Sequence, residues 1–328
     1  MKGPLMKARI APLAALLIAA CAASGALAQE YPNRAIRVIC PYGAGGAADI
    51  IARAAAAELS KQLGQSFFVE NRTGAGATIG FEAFAAAAPD GYTLLATASS
   101  LHGIAAVLYP NLKHNPNKDV EPIIALALAS NVLVVNPSVK ANSVKDLVAL
   151  AKSQPGKLTF VSAGVGTSVH MAGELFKTMA GVEMTHVPYK SSVLALGDLI
   201  AGRVDVMFDN IPSALGHIRA GKLRALATTG PERAGILPEL PTIAESGMPG
   251  YEAGVWVGLL APAGTPKAIV AKLSAEGQKA VKSPDFVKRM ADLGNDVIGG
   301  TPEKMAEMIQ GEVKRWGPVV RASGAKPE

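Results

Sequence analysis

Two glycine-rich loops, about 120 residues apart, carry the chemistry that the residue types of this chain allow. The first follows the apolar run Ile36–Cys40 and reads Pro41-Tyr42-Gly43-Ala44-Gly45-Gly46-Ala47. The second follows Leu158–Val161 and reads Ser162-Ala163-Gly164-Val165-Gly166-Thr167-Ser168-Val169-His170. Each stands where a strand turns into a helix. A helix start presents unpaired N–H groups and a partial positive charge, and glycine lets backbone approach a ligand closely. Each loop is therefore a candidate anion cradle, and two facing cradles would clamp a small carboxylate. Thr167 and Ser168 add hydroxyl donors to the second loop. His170, three residues on, either contacts a ligand or hydrogen-bonds within the loop.

A third candidate is Asp209, at the end of the apolar strand Val204–Asp209. Asp205 falls on the same face at a spacing of four. Asp209 accepts from a ligand ammonium or hydroxyl, or else caps the following helix together with Asn210. Tyr189-Lys190-Ser191-Ser192 follows another strand end, and Lys190 reads first as a solvated surface charge.

Other chemistries find no residues to carry them. The histidines, His102, His114, His170, His186 and His217, have no metal-ligand spacing, and no Gly-x-Ser-x-Gly elbow occurs. Gly74-Ala75-Gly76-Ala77-Thr78-Ile79-Gly80 resembles a dinucleotide fingerprint with one spacing error. The next strand ends in Ala96-Thr97-Ala98 without an acid for a ribose, so tight packing at an interlobe face is the better reading. No cofactor or metal is expected. Cys40 ends an apolar strand and reads as a small core residue.

These groups need a scaffold in which strands and helices alternate. Strands are expected at Ile36–Pro41, Ser66–Glu70, Tyr92–Ala96, Leu158–Ala163, Thr185–Pro188, Val204–Asp209 and Leu223–Thr229. Helices are expected at Ala47–Leu63, Thr78–Ala88, Thr167–Ala180 and Val193–Ala201, with Ser143 capping another. This alternation argues for α/β architecture with parallel βαβ units. Pro122–Val135 and Tyr251–Ala261 are long apolar strands able to cross between two lobes. Closing helices open near Pro266, Pro284 and Pro302. Residues 29–130 plus 253–328 then form one lobe and residues 131–252 the other. The cleft between them, at the carboxyl ends of the strands, is the expected site.

Residues 1–28 read as a signal peptide: Lys2, Lys7 and Arg9 precede an apolar run, and Ala26-Leu27-Ala28 fits a cleavage site. A competing lipobox reading of Ile18-Ala19-Ala20-Cys21 would make a lipoprotein anchored through Cys21. Either path leads out of the cytoplasm. Cleavage at Ala28 lowers the formal charge from +6 to +3, with no basic run, which argues against a nucleic-acid partner.

The motifs taken together resemble the Bug-type receptors, the extracytoplasmic substrate receptors of tripartite tricarboxylate transporters. The resemblance rests on Tyr31-Pro32-Asn33-Arg34, Pro41–Asp49, Val69–Gly76, Pro89-Asp90-Gly91-Tyr92-Thr93-Leu94, Gly164–His170, Pro188-Tyr189-Lys190, Gly202-Arg203-Val204-Asp205, Gly221–Ala227 and Ala261–Pro266, in order along nearly the whole mature chain. It implies a two-lobed class II periplasmic-binding-protein fold, closing as a monomer on a carboxylate and delivering it to large and small membrane subunits, with no enzyme activity. A periplasmic sensor feeding a membrane signalling protein is the alternative, and a hydrolase or transferase on the same fold a more distant one. The resemblance assigns ligand contacts to Tyr42 through Ala47, to Ser162 through Ser168, to Ser99 and Ser100, and selectivity to Asp209. Two departures stand out. Ser191 replaces a glycine usual after Tyr-Arg/Lys, and Ala105-Ala106 replaces Asn-Pro, so the pocket lining is expected to differ.

Overall fold

The computed structural model describes residues 31–326. The signal-peptide and Cys21 readings fall outside the described residues. The elements, in chain order, are β1 (Ile36–Cys40), α1 (Ala47–Leu63), β2 (Phe67–Asn71), α2 (Thr78–Ala85), β3 (Thr93–Ala98), β4 (Val120–Val135), α3 (Val144–Ser153), β5 (Thr159–Ser162), α4 (Ser168–Ala180), β6 (Thr185–Pro188), α5 (Ser192–Ile200), β7 (Val206–Asn210), α6 (Ile211–Arg219), β8 (Arg224–Thr228), β9 (Gly254–Pro262), α7 (Lys267–Lys282), α8 (Pro284–Asp292), β10 (Asn295–Val297) and α9 (Pro302–Ser323). The alternation expected from the sequence is present throughout, with ends shifted by a few residues.

The strands form two wings that share β4. The first runs β2-β1-β3-β9-β4, with β10 on the far side of β4; the second runs β8-β4-β7-β5-β6. Within each wing the βαβ strands are parallel: β1 with β2 and β3, β5 with β6 and β7. β4 is antiparallel to all its partners and belongs to both sheets. Val120–Ser130 pair with β9, and Asn131–Val135 pair with β7. Most of its residues are buried, which is why the stretch reads as a near-continuous apolar run.

The return crossing is made by chain leading into β9 rather than by β9 itself. Ala253 N donates to Thr229 O, while β9 pairs only with β3 and the first part of β4. The two wings are thus tied at neighbouring points.

A third tie was not expected. α9 begins in the first lobe, where Met305 and Ile309 pack with Phe81, Leu95 and Trp256. Its last turns bury Trp316 and Val320 among Phe160, Phe176 and Tyr251 of the second lobe. Pro318 stands inside this helix, just past the crossing. Trp256 Nε1 donates to Glu312 Oε1 (2.9 Å), anchoring the helix midway.

β7 starts at Val206, not Val204, because Asp205 is used elsewhere. Its carboxylate accepts from Thr159 N and Thr159 Oγ1, each at 2.8 Å, and pins the start of β5. Asp205 and Asp209 therefore do not act as a pair.

Candidate functional site

A cavity of about 840 Å³ opens between the lobes and is lined from both. Five helix starts point at it: Gly46–Ala48 of α1, the Gly74–Ala77 turn before α2, Thr167–Val169 of α4, Ser192 and Leu194 of α5, and Asn210, the cap of α6.

The first loop is held from behind by a buried acid. Asp49 lies in the first turn of α1. Its Oδ2 accepts from Gly45 N (3.0 Å), and its carboxylate also takes Arg53 Nε (3.0 Å) and Asn71 Nδ2 (2.8 Å). Burial pushes this carboxyl up, but the hydrogen bonds from Arg53, Gly45 and Asn71 outweigh it and hold it below its usual range. Asn71 Nδ2 donates to Tyr42 O as well (3.0 Å), fixing the start of the loop. The helical ladder begins where Ile50 N donates to Gly46 O (3.0 Å). The amides of Ala47 and Ala48 are left for an outside acceptor.

The second loop is built differently. Thr167 caps α4. Its hydroxyl donates to Gly164 O (2.8 Å) and accepts from His170 N (3.3 Å). The expected direct grip by Thr167 is thus not available, because its proton is already placed. Ser168 lines the cavity beside it. His170 Nδ1 accepts from Gly166 N (3.2 Å), so of its two readings the structure has the one within the loop. Beneath lies a ring stack: His170 over His186 at 4.0 Å, and His186 over Phe160 at 4.8 Å. His186 Nε2 meets Ser162 Oγ at 2.7 Å. Burial, with the charge of His170 beside it, pushes His186 down to about 3, so its ring is neutral.

Asp209 is fully buried and does not line the cavity. The strand runs one residue further than expected, so Asn210 faces the cavity and Asp209 lies behind Ser192. Ser192 Oγ donates to Asp209 Oδ1 (2.8 Å), and Asp209 Oδ2 has no hydrogen-bond partner. Burial pushes this carboxyl up to about 7, against the lowering effect of Ser192 and the Asn210 amide.

Of the residues read from the sequence, Tyr42, Gly43, Gly46, Ala47, Ser100, Ala163, Gly164, Thr167, Ser168 and Tyr189 line the cavity. Ala44, Gly45, Ser99, Ser162, Gly166, His170 and Asp209 do not; they stand behind or beside it. The sequence reading missed Thr73–Ala77, Ile79, Lys190, Ser192 and Leu194 as lining residues. A signal existed for the first group: three glycines in seven residues at a helix start.

Several glycines meet the opposite lobe, Gly43 and Gly76 while also lining the cavity. A β-carbon on Gly43 would start 2.5 Å from Ser191 Cβ, and one on Gly45 3.2 Å from Val193 Cγ2. On the other side, a β-carbon on Gly76 would start 3.0 Å from Val165 O, and one on Gly166 3.8 Å from Gly76 Cα. The Gly74–Gly80 segment does pack tightly at the interlobe face, as its sequence predicts. Ala75 (φ 45°) and Ala77 (φ 84°) hold strained left-handed backbone there.

Among the described residues no group of three or more histidines, cysteines or acids could hold a metal ion. Likewise, no helix among them is long and apolar enough to cross a membrane.

Comparison with known proteins gives a consistent picture. Residues 51–325 match the model of the tripartite tricarboxylate transporter family receptor. The protein BugT of Bordetella pertussis is 38% identical over 300 residues, covering 91% of this chain and 92% of that protein. An R. palustris protein solved with adipate superposes with a TM-score of 0.88 at 36% identity, covering 91% of this chain and 100% of that one. MatC from Rhodopseudomonas palustris, solved with bound malate, gives 0.84 at 35% identity, covering 88% and 100%.

Proposed function

This chain belongs to the tripartite tricarboxylate transporter receptor family, and on that premise we propose that it captures one small organic acid between its lobes in the periplasm and hands it to the membrane subunits of such a transporter. The observation that carries the proposal is the convergence of five helix starts, drawn from both lobes, on one cavity. Bare amides and helix dipoles favour a carboxylate, and no acidic side chain lines the cavity to oppose it. Similar proteins solved with adipate and with malate support the same ligand class.

Tyr42, Gly46, Ala47, Gly164, Ser168 and Tyr189 are the contacts we assign to the ligand, with Asp49, His170 and Asp209 holding them from behind. Binding from both lobes makes the closed form the one the ligand prefers, and only that difference can shift the population. We read the protein as acting by binding rather than catalysis: the serine that meets a histidine, Ser162 with His186, lies beneath the second loop and does not line the cavity.

A thermal-shift panel of mono-, di- and tricarboxylates against their neutral amides tests this. A carboxylate at about 100 times its Kd should stabilise the protein by about 2.7 kcal/mol, with no shift from the amide. Stabilisation by the amides alone would overturn the reading.

A further inference from the structure

We infer that the ligand is a carboxylic acid with a hydrocarbon body, aliphatic or aromatic, rather than a hydroxylated acid. The inference rests on the carboxylate reading above and narrows it.

The cavity has many hydroxyls, but few of them can serve a ligand. Thr167 donates to Gly164 O (2.8 Å), Ser192 to Asp209 Oδ1 (2.8 Å) and Tyr189 to Asp198 Oδ2 (2.6 Å). Tyr42 and Ser100 face one another at 3.3 Å, with Ala98 O at 3.4 Å from the tyrosine. The Asn210 side-chain amide donates to Asn131 Oδ1 (2.5 Å). The polar surface left for a ligand is backbone N–H at the helix starts and the hydroxyls of Ser168 and Thr73, with Lys190 beside them. Those groups suit carboxylates and nothing between them.

The space between is apolar. Ile79 from the first lobe is 56% exposed and Leu194 from the second is 55% exposed, and both line the cavity. Large aliphatic side chains this exposed, lining one cavity from both lobes, mark a surface meant to be covered. The alanines Ala47, Ala48 and Ala77 complete the wall. A ligand hydroxyl held against Ile79 and Leu194 would lose water and meet hydrocarbon, which discriminates against it. A chain of methylenes or an aromatic ring loses nothing and covers Ile79 and Leu194.

The test is titration calorimetry of the mature protein with adipate, hexanoate and phenylacetate, against malate, tartrate and citrate, and against adipamide as a neutral control. The expected result is binding of at least one hydrocarbon-bodied acid about tenfold or more tighter than any hydroxy acid of equal charge. That binding should carry a negative heat-capacity change. Ile79→Ser and Leu194→Ser, both at exposed positions, should weaken the hydrocarbon-bodied acid about tenfold and leave hydroxy acids within about twofold. Equal or tighter binding of hydroxy acids overturns the inference while leaving the carboxylate reading in place, as does an equal loss for both classes in the two variants. Binding of adipamide as tight as adipate overturns the carboxylate reading itself, and this inference with it.

Discussion

The two glycine loops face one cavity but rest on different foundations. Behind the first stands a charged network: Asp49, Arg53 and Asn71 hold Gly45 and Tyr42. Behind the second stands a ring stack of Phe160, His186 and His170, with hydroxyls closing the loop on itself and the buried Glu174 of α4 between His170 (3.7 Å) and Lys177 (2.9 Å). A shared chemical task thus does not require a shared scaffold. What the loops have in common is the helix start. What differs is what holds the loop backbone itself: a carboxylate on the Gly45 amide in one case, and a threonine hydroxyl on the Gly164 carbonyl in the other.

The comparison breaks most readily at the first loop. Asp49→Ala should leave the Gly45 amide, Arg53 and Asn71 without their acceptor. Chemical denaturation should show about 2 kcal/mol lost. Calorimetry should show carboxylate affinity down by more than tenfold. Unchanged affinity would mean that this network only stabilises α1.

The next variant separates closure from cradling. Gly43 has ordinary backbone angles, so alanine is resisted only by Ser191 of the other lobe. Gly43→Ala should keep the melting temperature of the free protein but weaken the ligand about tenfold, by obstructing closure. Adding Ser191→Gly, at a capping cost of a few tenths of a kcal/mol, should restore most of the affinity. Small-angle scattering with and without ligand would show whether compaction is lost and regained.

A smaller effect lies in pH. His186 is held down to about 3 from its usual 6.5, so its contribution is present above pH 6.5 and is lost as pH falls towards 3. Asp209 is held up to about 7 from 3.8, so its contribution is present below pH 4 and is lost as pH rises through 7. His186→Phe, which keeps the stack, should therefore flatten the acid side of the stability profile. Asp209→Asn should flatten the neutral side. Urea midpoints measured from pH 4 to 8 would check both, and a shared change in one direction would contradict the assignment. The smallest effect is at Cys40, whose buried thiol is pushed up to about 12. In the folded protein it should resist alkylation for hours while reacting promptly in denaturant.

Much of this arrangement was legible in the sequence, and the exceptions have physical causes. Alternating apolar and helical segments announced the βαβ wings, and the uninterrupted apolar stretch around Ile123–Val135 announced the shared strand. Ser143 announced a cap, which the structure bears out: its side chain accepts from Asp146 N. The glycine loops were legible as loops at helix starts. What the sequence did not reveal is where a proton goes. Thr167 looks like a ligand donor until its hydroxyl is seen on Gly164 O, and Asp209 looks like a cleft acid until one further strand residue turns it inward. Nor can a sequence distinguish a glycine that admits a ligand from one that admits the other lobe, since both need only the missing side chain. Lys190 read as solvated and is indeed exposed, yet it also edges the cavity.

The last helix has a consequence for how the chain folds. Trp316 and Val320 complete a core whose other members lie far earlier in the chain, Ile104, Phe160 and Phe176 among them. The second core therefore cannot close until α9 has docked on it, in whatever order the earlier elements form. A chain cut before α9 would leave that apolar gap open to water.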